Sequence, residues 1–186
     1  KHTKQEIITL LKRKKEKIDK LISSSNNNTR VYILNSLEVD IKPDGNLAIP
    51  ESAIKFLDFM IVSIHSSFLM TRQEMTLRVL KALSHPKALI LGHPSGRLLG
   101  ERPSIKLDWD RLFDFCDKNH KILEINSHPQ RLDLPDTLVR KAIDKKIKLC
   151  INSDSHRLSE MDNMRYGVNE ARRGWAQKCD IINKMP

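Results

Sequence analysis

Five residues of metal-ligand type follow or lie within short apolar stretches of the sequence. They are Glu38, His65, His93, Asp154 and His156. Imidazole nitrogens combined with carboxylate oxygens suit zinc, manganese or iron, and such a set needs no thiolate. A glutamate can bridge two ions through its two oxygens, so Glu38 is the natural bridging ligand of a multinuclear cluster. A cluster of this kind lowers the pKa of a bound water to roughly 7, which predicts metal-assisted hydrolysis of phosphate esters.

The elements that must bring these residues together are five predicted strands, separated by helices. The strands are expected within residues 31–41, 59–65, 88–93, 121–129 and 147–156. The helices are expected at residues 4–23, 71–83, 107–119, 138–145 and 159–171, and Thr71 and Glu74 have capping-box spacing. Short, continuously apolar strands between helices are typical of a parallel sheet buried on both faces. Sites in such α/β folds assemble at the carboxyl ends of the strands, where the five candidate ligands fall.

The remaining histidines and the cysteines can be interpreted as structural residues. His2, His85 and His120 fall outside the strand ends, so we interpret them as surface or packing residues. His128 closely follows the fourth strand and is ambiguous, with a structural role favoured. Cys150 lies inside an apolar strand, where it acts as a small buried hydrophobe. The three cysteines are odd in number and form no CxxC pair, which argues against a disulfide framework or a zinc ribbon.

The composition of the 186-residue chain is that of a globular protein, with 39% hydrophobic and 30% charged residues. No apolar run approaches the roughly 20 residues of a membrane span, and no secretory signal opens the chain. We therefore expect a reducing, cytoplasmic setting and no membrane partner.

The formal net charge of +10 raises the question of an acidic partner. Residues 11–20 (LKRKKEKIDK) carry six basic side chains against two acidic ones. Such a run is either a solvated helix face or a surface attracted to a polyanion such as nucleic acid. The charge alone does not separate the two interpretations.

Six longer motifs together run through nearly the whole chain. They are LEVDIKPDG (residues 37–45), SIHSSF (63–68), GHPSGRLLGERP (92–103), EINSHPQRLDL (124–134), INSDSH (151–156) and MRYGVNEARRGW (164–175). They resemble the PHP (polymerase and histidinol phosphatase) domain, in the form attached to bacterial and archaeal family X DNA polymerases. HPSGRLLG and MRYGVNEARRGW are the most specific, because other PHP branches usually lack them.

The resemblance implies a distorted, TIM-like (β/α)7 barrel that holds up to three zinc or manganese ions. It also implies 3′-5′ exonuclease or related phosphoesterase work on DNA ends, with a metal-activated water as the nucleophile. The positions that match family metal ligands are Glu38, His65, His93, Asp154 and His156. Arg97, in the turn after His93, is a candidate phosphate contact, because its planar guanidinium can donate two hydrogen bonds to phosphate oxygens. The alternative is a structural salt bridge. The basic surface, including Arg172 and Arg173, is expected to follow the DNA backbone.

One departure from the family pattern concerns the start of the domain. The family opens with a strand bearing a His-x-His pair, followed by a further aspartate and histidine, and residues 1–37 contain no such pair. No polymerase palm or helix-hairpin-helix segment is present either. We therefore expect residues 1–186 to be the C-terminal portion of a PHP domain, an incomplete barrel whose polymerase core belongs to the same parent polypeptide. Unpaired barrel edges would then favour oligomerisation.

Two rival functions stay open at this point. One is a small-molecule phosphomonoesterase of the histidinol-phosphatase type, against which the net charge and the polymerase-like motifs argue. The other is a non-catalytic PHP module that supports a polymerase. The five intact ligand positions favour catalysis in the parent protein over that second rival.

Overall fold

The computed structural model describes residues 2–24 and 33–184. Its centre is a five-stranded sheet in which the strands follow one another in chain order. The strands are β1 (Ser36–Asp40), β2 (Phe59–Ser63), β3 (Ala88–Leu91), β4 (Ile122–Asn126) and β5 (Leu149–Asn152). Every neighbouring pair is parallel. The predicted α/β architecture with a parallel sheet is confirmed, whereas closure into a seven-stranded barrel stays a prediction.

Helices connect the successive strands, as a parallel sheet requires. The connecting helices are α2 (Glu51–Ile54), α3 (Arg72–Leu83), α4 (Trp109–Lys118) and α5 (Asp136–Asp144). Helix α1 (Lys4–Ser24) precedes β1, and a 3-10 helix (Leu158–Asn163) and α6 (Met164–Arg173) follow β5. Among the described residues, no helix is both long and apolar enough to cross a membrane. Thr71 caps α3 as predicted, because its hydroxyl accepts from the Glu74 N–H while the Glu74 carboxylate accepts from the Thr71 N–H.

The first strand is shorter than predicted. Residues 31 and 32 lie outside the described part of the chain, and β1 begins only at Ser36. The residue before it, Asn35, donates its backbone N–H to Asp58 (2.7 Å) and its amide to the Phe56 carbonyl (2.7 Å). These bonds tie this stretch to the segment before β2, so it does not extend the strand.

Two helical segments also differ from expectation. The predicted helix over residues 159–171 is a 3-10 helix (Leu158–Asn163) that continues as α6. Helix α2 was not predicted, since four residues are too few to show a helical period.

The core lies on both faces of the sheet. All five residues of β4 are buried, and Met60 of β2 and Leu123 of β4 are fully enclosed. Leu112 and Phe113 of α4 pack in the same apolar cluster. Burial on both faces explains why β2 and β3 are almost entirely apolar, and it favours the ends of the strands as the places for polar side chains.

Candidate metal centre

The carboxyl-terminal edge of the sheet carries polar residues from three adjacent strands. Glu38 lies in β1, with Ile61 of β2 as its register partner. His65 comes two residues after the end of β2, and His93 comes two residues after the end of β3. Because the strands are parallel, the ends of β2 and β3 lie at one edge. Glu38, two residues before the end of β1, reaches this edge with its side chain.

These three side chains converge on one point. Glu38 offers a carboxylate oxygen and the histidines offer ring nitrogens, and all three ligand atoms lie within 4.8 Å of one another. Glu38 Oε1 is 3.0 Å from His93 Nε2 and 3.4 Å from His65 Nε2. His93 is buried, whereas the side chains of Glu38 and His65 are 39% and 44% exposed, so solvent reaches the point of convergence.

Two further polar residues hold this cluster, and sequence reasoning missed both. Ser63 donates its hydroxyl to Glu38 Oε1 (2.7 Å) and lies 3.4 Å from His65 Nδ1. Asp40 accepts the His65 backbone N–H (3.2 Å) and lies 3.6 Å from His65 Nδ1. The sequence did contain a signal for Asp40. Side chains in a strand alternate with a period of two, which puts Asp40 on the same face as Glu38.

The pKa shifts favour the protonation states that bind a cation. The hydrogen bond with His93 is the largest cause that lowers the pKa of Glu38 to about 2, helped by the Ser63 hydroxyl and opposed by burial. Burial is the main cause that lowers the pKa of His65, and the charges of His93 and Arg131 act in the same direction. Near pH 7 the carboxylate is therefore ionised and the His65 imidazole is neutral, as metal ligands must be.

The residues present fit a divalent cation. One carboxylate and two imidazoles form a ligand set of the kind that zinc and manganese accept. The Nδ1 atom of His93 is buried and has no hydrogen-bond partner among the described residues. A buried ring nitrogen in that state calls for a water or an ion as its partner. The cluster of Glu38, His65 and His93 is therefore a candidate metal site.

Asp154 and His156 are not part of this group. Asp154 Oδ2 accepts the Asn126 amide (3.1 Å) and lies 3.6 Å from Arg131 Nε. His156 donates Nδ1–H to the Asp154 carbonyl (2.9 Å) and its backbone N–H to Glu160 (2.7 Å). The structure thus brings three of the five predicted ligands together, and the ligand roles of the other two stay predictions.

Arg97 bonds to backbone carbonyls and does not form, among the described residues, the salt bridge that was the alternative to a phosphate contact. Its Nε donates to the Arg131 carbonyl (2.8 Å), and its Nη2 donates to the Leu132 carbonyl. No carboxylate pairs with it within the described residues. Arg131 itself has a buried Nη1 that lacks a hydrogen-bond partner in the described part of the chain. A phosphate contact by Arg97 stays a prediction. It would use Nη1 of Arg97, which donates to neither the Arg131 nor the Leu132 carbonyl.

A third missed residue, Glu124, lies inside β4 and is only 4% exposed. Its carboxylate accepts the backbone N–H of His93 (2.6 Å). The signal was an acidic residue in the middle of an otherwise apolar strand, because a buried carboxylate needs hydrogen-bond donors around it.

The histidine that sequence left ambiguous has turn contacts. The backbone N–H of His128 donates to Asn126 Oδ1 (3.0 Å), and its Nδ1 accepts from the Gln130 N–H (3.3 Å). His85 Nδ1 likewise accepts from the Lys87 N–H (3.1 Å). These contacts agree with the structural interpretation of both residues.

The chain matches known proteins over most of its length, although no protein-family model matches it. It is 36% identical over 173 residues to the DNA polymerase/3′-5′ exonuclease PolX of Bacillus subtilis (strain 168), a match that covers 93% of the chain and 30% of that protein. It is 27% identical over 136 residues to a "Probable phosphatase" of Thermoanaerobacter sp. (strain X514), which covers 68% of the chain and 53% of that protein. A protein of the same name from Acetivibrio thermocellus is 30% identical over 101 residues, with coverages of 53% and 39%.

These matches confirm the resemblance seen in the sequence motifs. The chain belongs to the PHP family. The match to the polymerase over 93% of the chain also confirms the resemblance to the form of the domain attached to family X DNA polymerases. The chain spans less than two thirds of the length of each of these relatives.

Proposed function

We propose that this chain carries part of the active site of a metal-dependent phosphoesterase. The observation that carries the proposal is the convergence of Glu38, His65 and His93 within 4.8 Å at the carboxyl edge of a parallel sheet. We further propose that Asp154 and His156 contribute to the same centre. Zinc and manganese are the proposed cations, because the ligand atoms are carboxylate oxygens and imidazole nitrogens.

A bound divalent cation would supply a nucleophile by lowering the pKa of water, and would stabilise charge on the phosphate. The protein residues would bind the cation and orient its ligands. Ser63 fixes the Glu38 carboxylate through a 2.7 Å hydrogen bond. Asp40 holds the backbone of His65. Arg131, 3.6 Å from Asp154, adds a positive charge beside this edge, where it would attract a phosphate.

We propose phosphodiester bonds at DNA 3′ ends as the substrate, with the polymerase core in the same parent polypeptide. The relative named polymerase and 3′-5′ exonuclease supports this substrate. The net charge of +10 supports it as well. In α1, Lys12 and Arg13 are exposed, as is Arg172 in α6. Arg173 pairs with Asp136 (2.8 Å), which neutralises part of its charge.

A phosphomonoesterase is the second candidate, because relatives named phosphatases match 68% of the chain. One experiment separates the two candidates. The chain, loaded with Mn²⁺, is incubated with a 5′-labelled single-stranded oligonucleotide and, separately, with p-nitrophenyl phosphate. We expect stepwise shortening of the oligonucleotide that EDTA and His93→Ala abolish. Turnover of p-nitrophenyl phosphate alone would favour the phosphatase. Metal binding without any turnover, repeated in the parent polypeptide with its N-terminal ligands, would favour a non-catalytic module.

A further inference from the structure

Glu124 is the centre of a buried hydrogen-bond network beneath the candidate metal centre. Its Oε2 accepts from the His93 backbone N–H (2.6 Å) and from the Asn126 amide (3.2 Å). Its Oε1 accepts from the Asn152 amide (2.6 Å). Three donors from strands β4 and β5 and from the end of β3 thus meet on one carboxylate. Burial raises the pKa of Glu124, and these donors oppose that rise.

Asn126, 1% exposed, extends this network toward Asp154. Its side-chain oxygen accepts from the His128 N–H (3.0 Å), which orients the amide. The amide nitrogen then faces two carboxylates, Glu124 (3.2 Å) and Asp154 (3.1 Å). An amide NH₂ has two protons to donate, so it can sit between two negative groups that would otherwise repel each other.

The residues at the two ends of this network have unusual backbones. His93 has φ 28° and Asp154 has φ 53°. Residues with a Cβ rarely adopt positive φ, and such conformations persist only where the surroundings hold them. Glu124 bonds to the first of these residues and Asn126 to the second.

The network also begins where the strand pairing stops. The last registered pair between β3 and β4 is Leu91 with Leu123. Beyond it, the Glu124 carboxylate and not a backbone carbonyl of β4 accepts the His93 N–H. The position of His93 relative to β4 therefore depends on a side chain.

We propose that Glu124 and Asn126 form a positioning pair that couples the two parts of the metal centre, His93 with its Glu38 and His65 neighbours on one side and Asp154 on the other. This inference rests on the proposed metal-dependent function. Neither residue of the pair binds the cation; each acts through the ligand that it holds. Such supporting partners typically change metal affinity 10- to 100-fold when they are lost.

The test compares Asn126→Asp with a matched control, Asn35→Asp. Asn126→Asp keeps the shape of the side chain, removes both N–H donors and puts a third carboxylate beside Glu124 and Asp154. Asn35 is equally an interior amide (4% exposed), but its donor bonds to the Phe56 carbonyl before β2. Both variants lose a buried amide donor, and only one loses it at the network.

Two readouts are measured on folded protein, with folding checked by urea unfolding. The first is the affinity for Co²⁺, followed by its visible absorption. We expect a loss of at least about tenfold in Asn126→Asp and a change within about twofold in Asn35→Asp. The second is the ¹H–¹⁵N spectrum of the metal-free chain, in which Asn126→Asp is expected to shift the His93 and Asp154 amide signals together.

If Asn126→Asp does not fold, Glu124→Gln serves instead, since it leaves one oxygen for the donors from His93, Asn126 and Asn152. It is expected to weaken Co²⁺ binding and to shift the His93 signal. Unchanged Co²⁺ affinity, or unmoved His93 and Asp154 signals, would overturn the positioning role. If the wild-type chain binds no metal, the proposed function fails, and the spectrum of the metal-free variants still decides the inference.

Discussion

Glu38 Oε1 lies 3.0 Å from His93 Nε2, although 55 positions separate the two residues in the chain. The contact exists because β2 pairs with both β1 and β3, and this places the ends of three strands side by side. The same contact is the main cause of the low pKa of Glu38, about 2. An ionised carboxylate beside two imidazoles is the ligand set of the proposed metal centre.

Ser63→Ala should weaken the metal centre without removing a ligand. The hydroxyl of Ser63 donates to Glu38 Oε1 at 2.7 Å and helps to keep the pKa of Glu38 low. We expect Zn²⁺ affinity, measured by competition with a chromogenic chelator, to fall about tenfold. Ser84→Ala is the control, because that hydroxyl donates to the Lys81 carbonyl at the end of α3, away from the metal centre. Equal affinities of the two variants would argue against a role for Ser63.

Arg78→Lys should lower the free energy of unfolding by about 2–4 kcal/mol. Arg78 is 2% exposed, and its guanidinium donates to the carbonyls of Lys42 (2.9 Å) and Ser66 (3.0 Å), in the segments after β1 and β2. A lysine ammonium cannot reproduce this fork. Arg72→Lys on the same helix is the control, since its exposed pair with Asp108 contributes at most about 1 kcal/mol. Urea unfolding of both variants measures the difference, and equal losses would contradict the bridging role.

Asp133 should make stability depend on pH in the opposite sense to most carboxyls. It is fully buried, both oxygens lie 3.0 Å from the Ser95 N–H, and burial raises its pKa above the ordinary 3.8. The native state therefore holds this proton more tightly than the unfolded state does. The stability that protonation contributes is lost as the pH rises from about 3.8 through the raised pKa.

The comparison with Asp133→Asn isolates this effect, because the other titrating groups are common to both proteins. Unfolding free energies are measured across the acidic range for both. We expect the wild type to lose stability relative to Asp133→Asn as the pH rises. A relative gain with rising pH would show that the pKa of Asp133 is lowered instead.

The parts of the fold that follow from local patterns could be predicted from the sequence. Continuous apolar stretches predicted the strands, and Thr71 with Glu74 predicted the start of α3. Ligand-type residues at strand ends predicted that Glu38, His65 and His93 would be neighbours, because parallel strands end at a common edge.

The supporting contacts could not be predicted, since they depend on which backbone groups meet. Every residue has a carbonyl, so nothing in the sequence marks the Arg131 and Leu132 carbonyls as the acceptors for Arg97. The position of Asp154 depends on a left-handed turn (φ 53°) that carries no glycine to signal it. The bond from the His93 N–H to Glu124 likewise requires the register of β3 and β4.

Metal content is the most direct test of the central claim that Glu38, His65 and His93 bind a cation. The chain is loaded with Zn²⁺ or Mn²⁺, desalted and analysed by elemental mass spectrometry beside Glu38→Gln, His65→Ala and a control, His85→Ala, whose ring accepts from the Lys87 N–H. We predict about one or more ions per chain in the wild type and the control, and a loss of most of that metal in the other two variants. A metal-free wild type, or equal metal in His65→Ala and His85→Ala, would contradict the account.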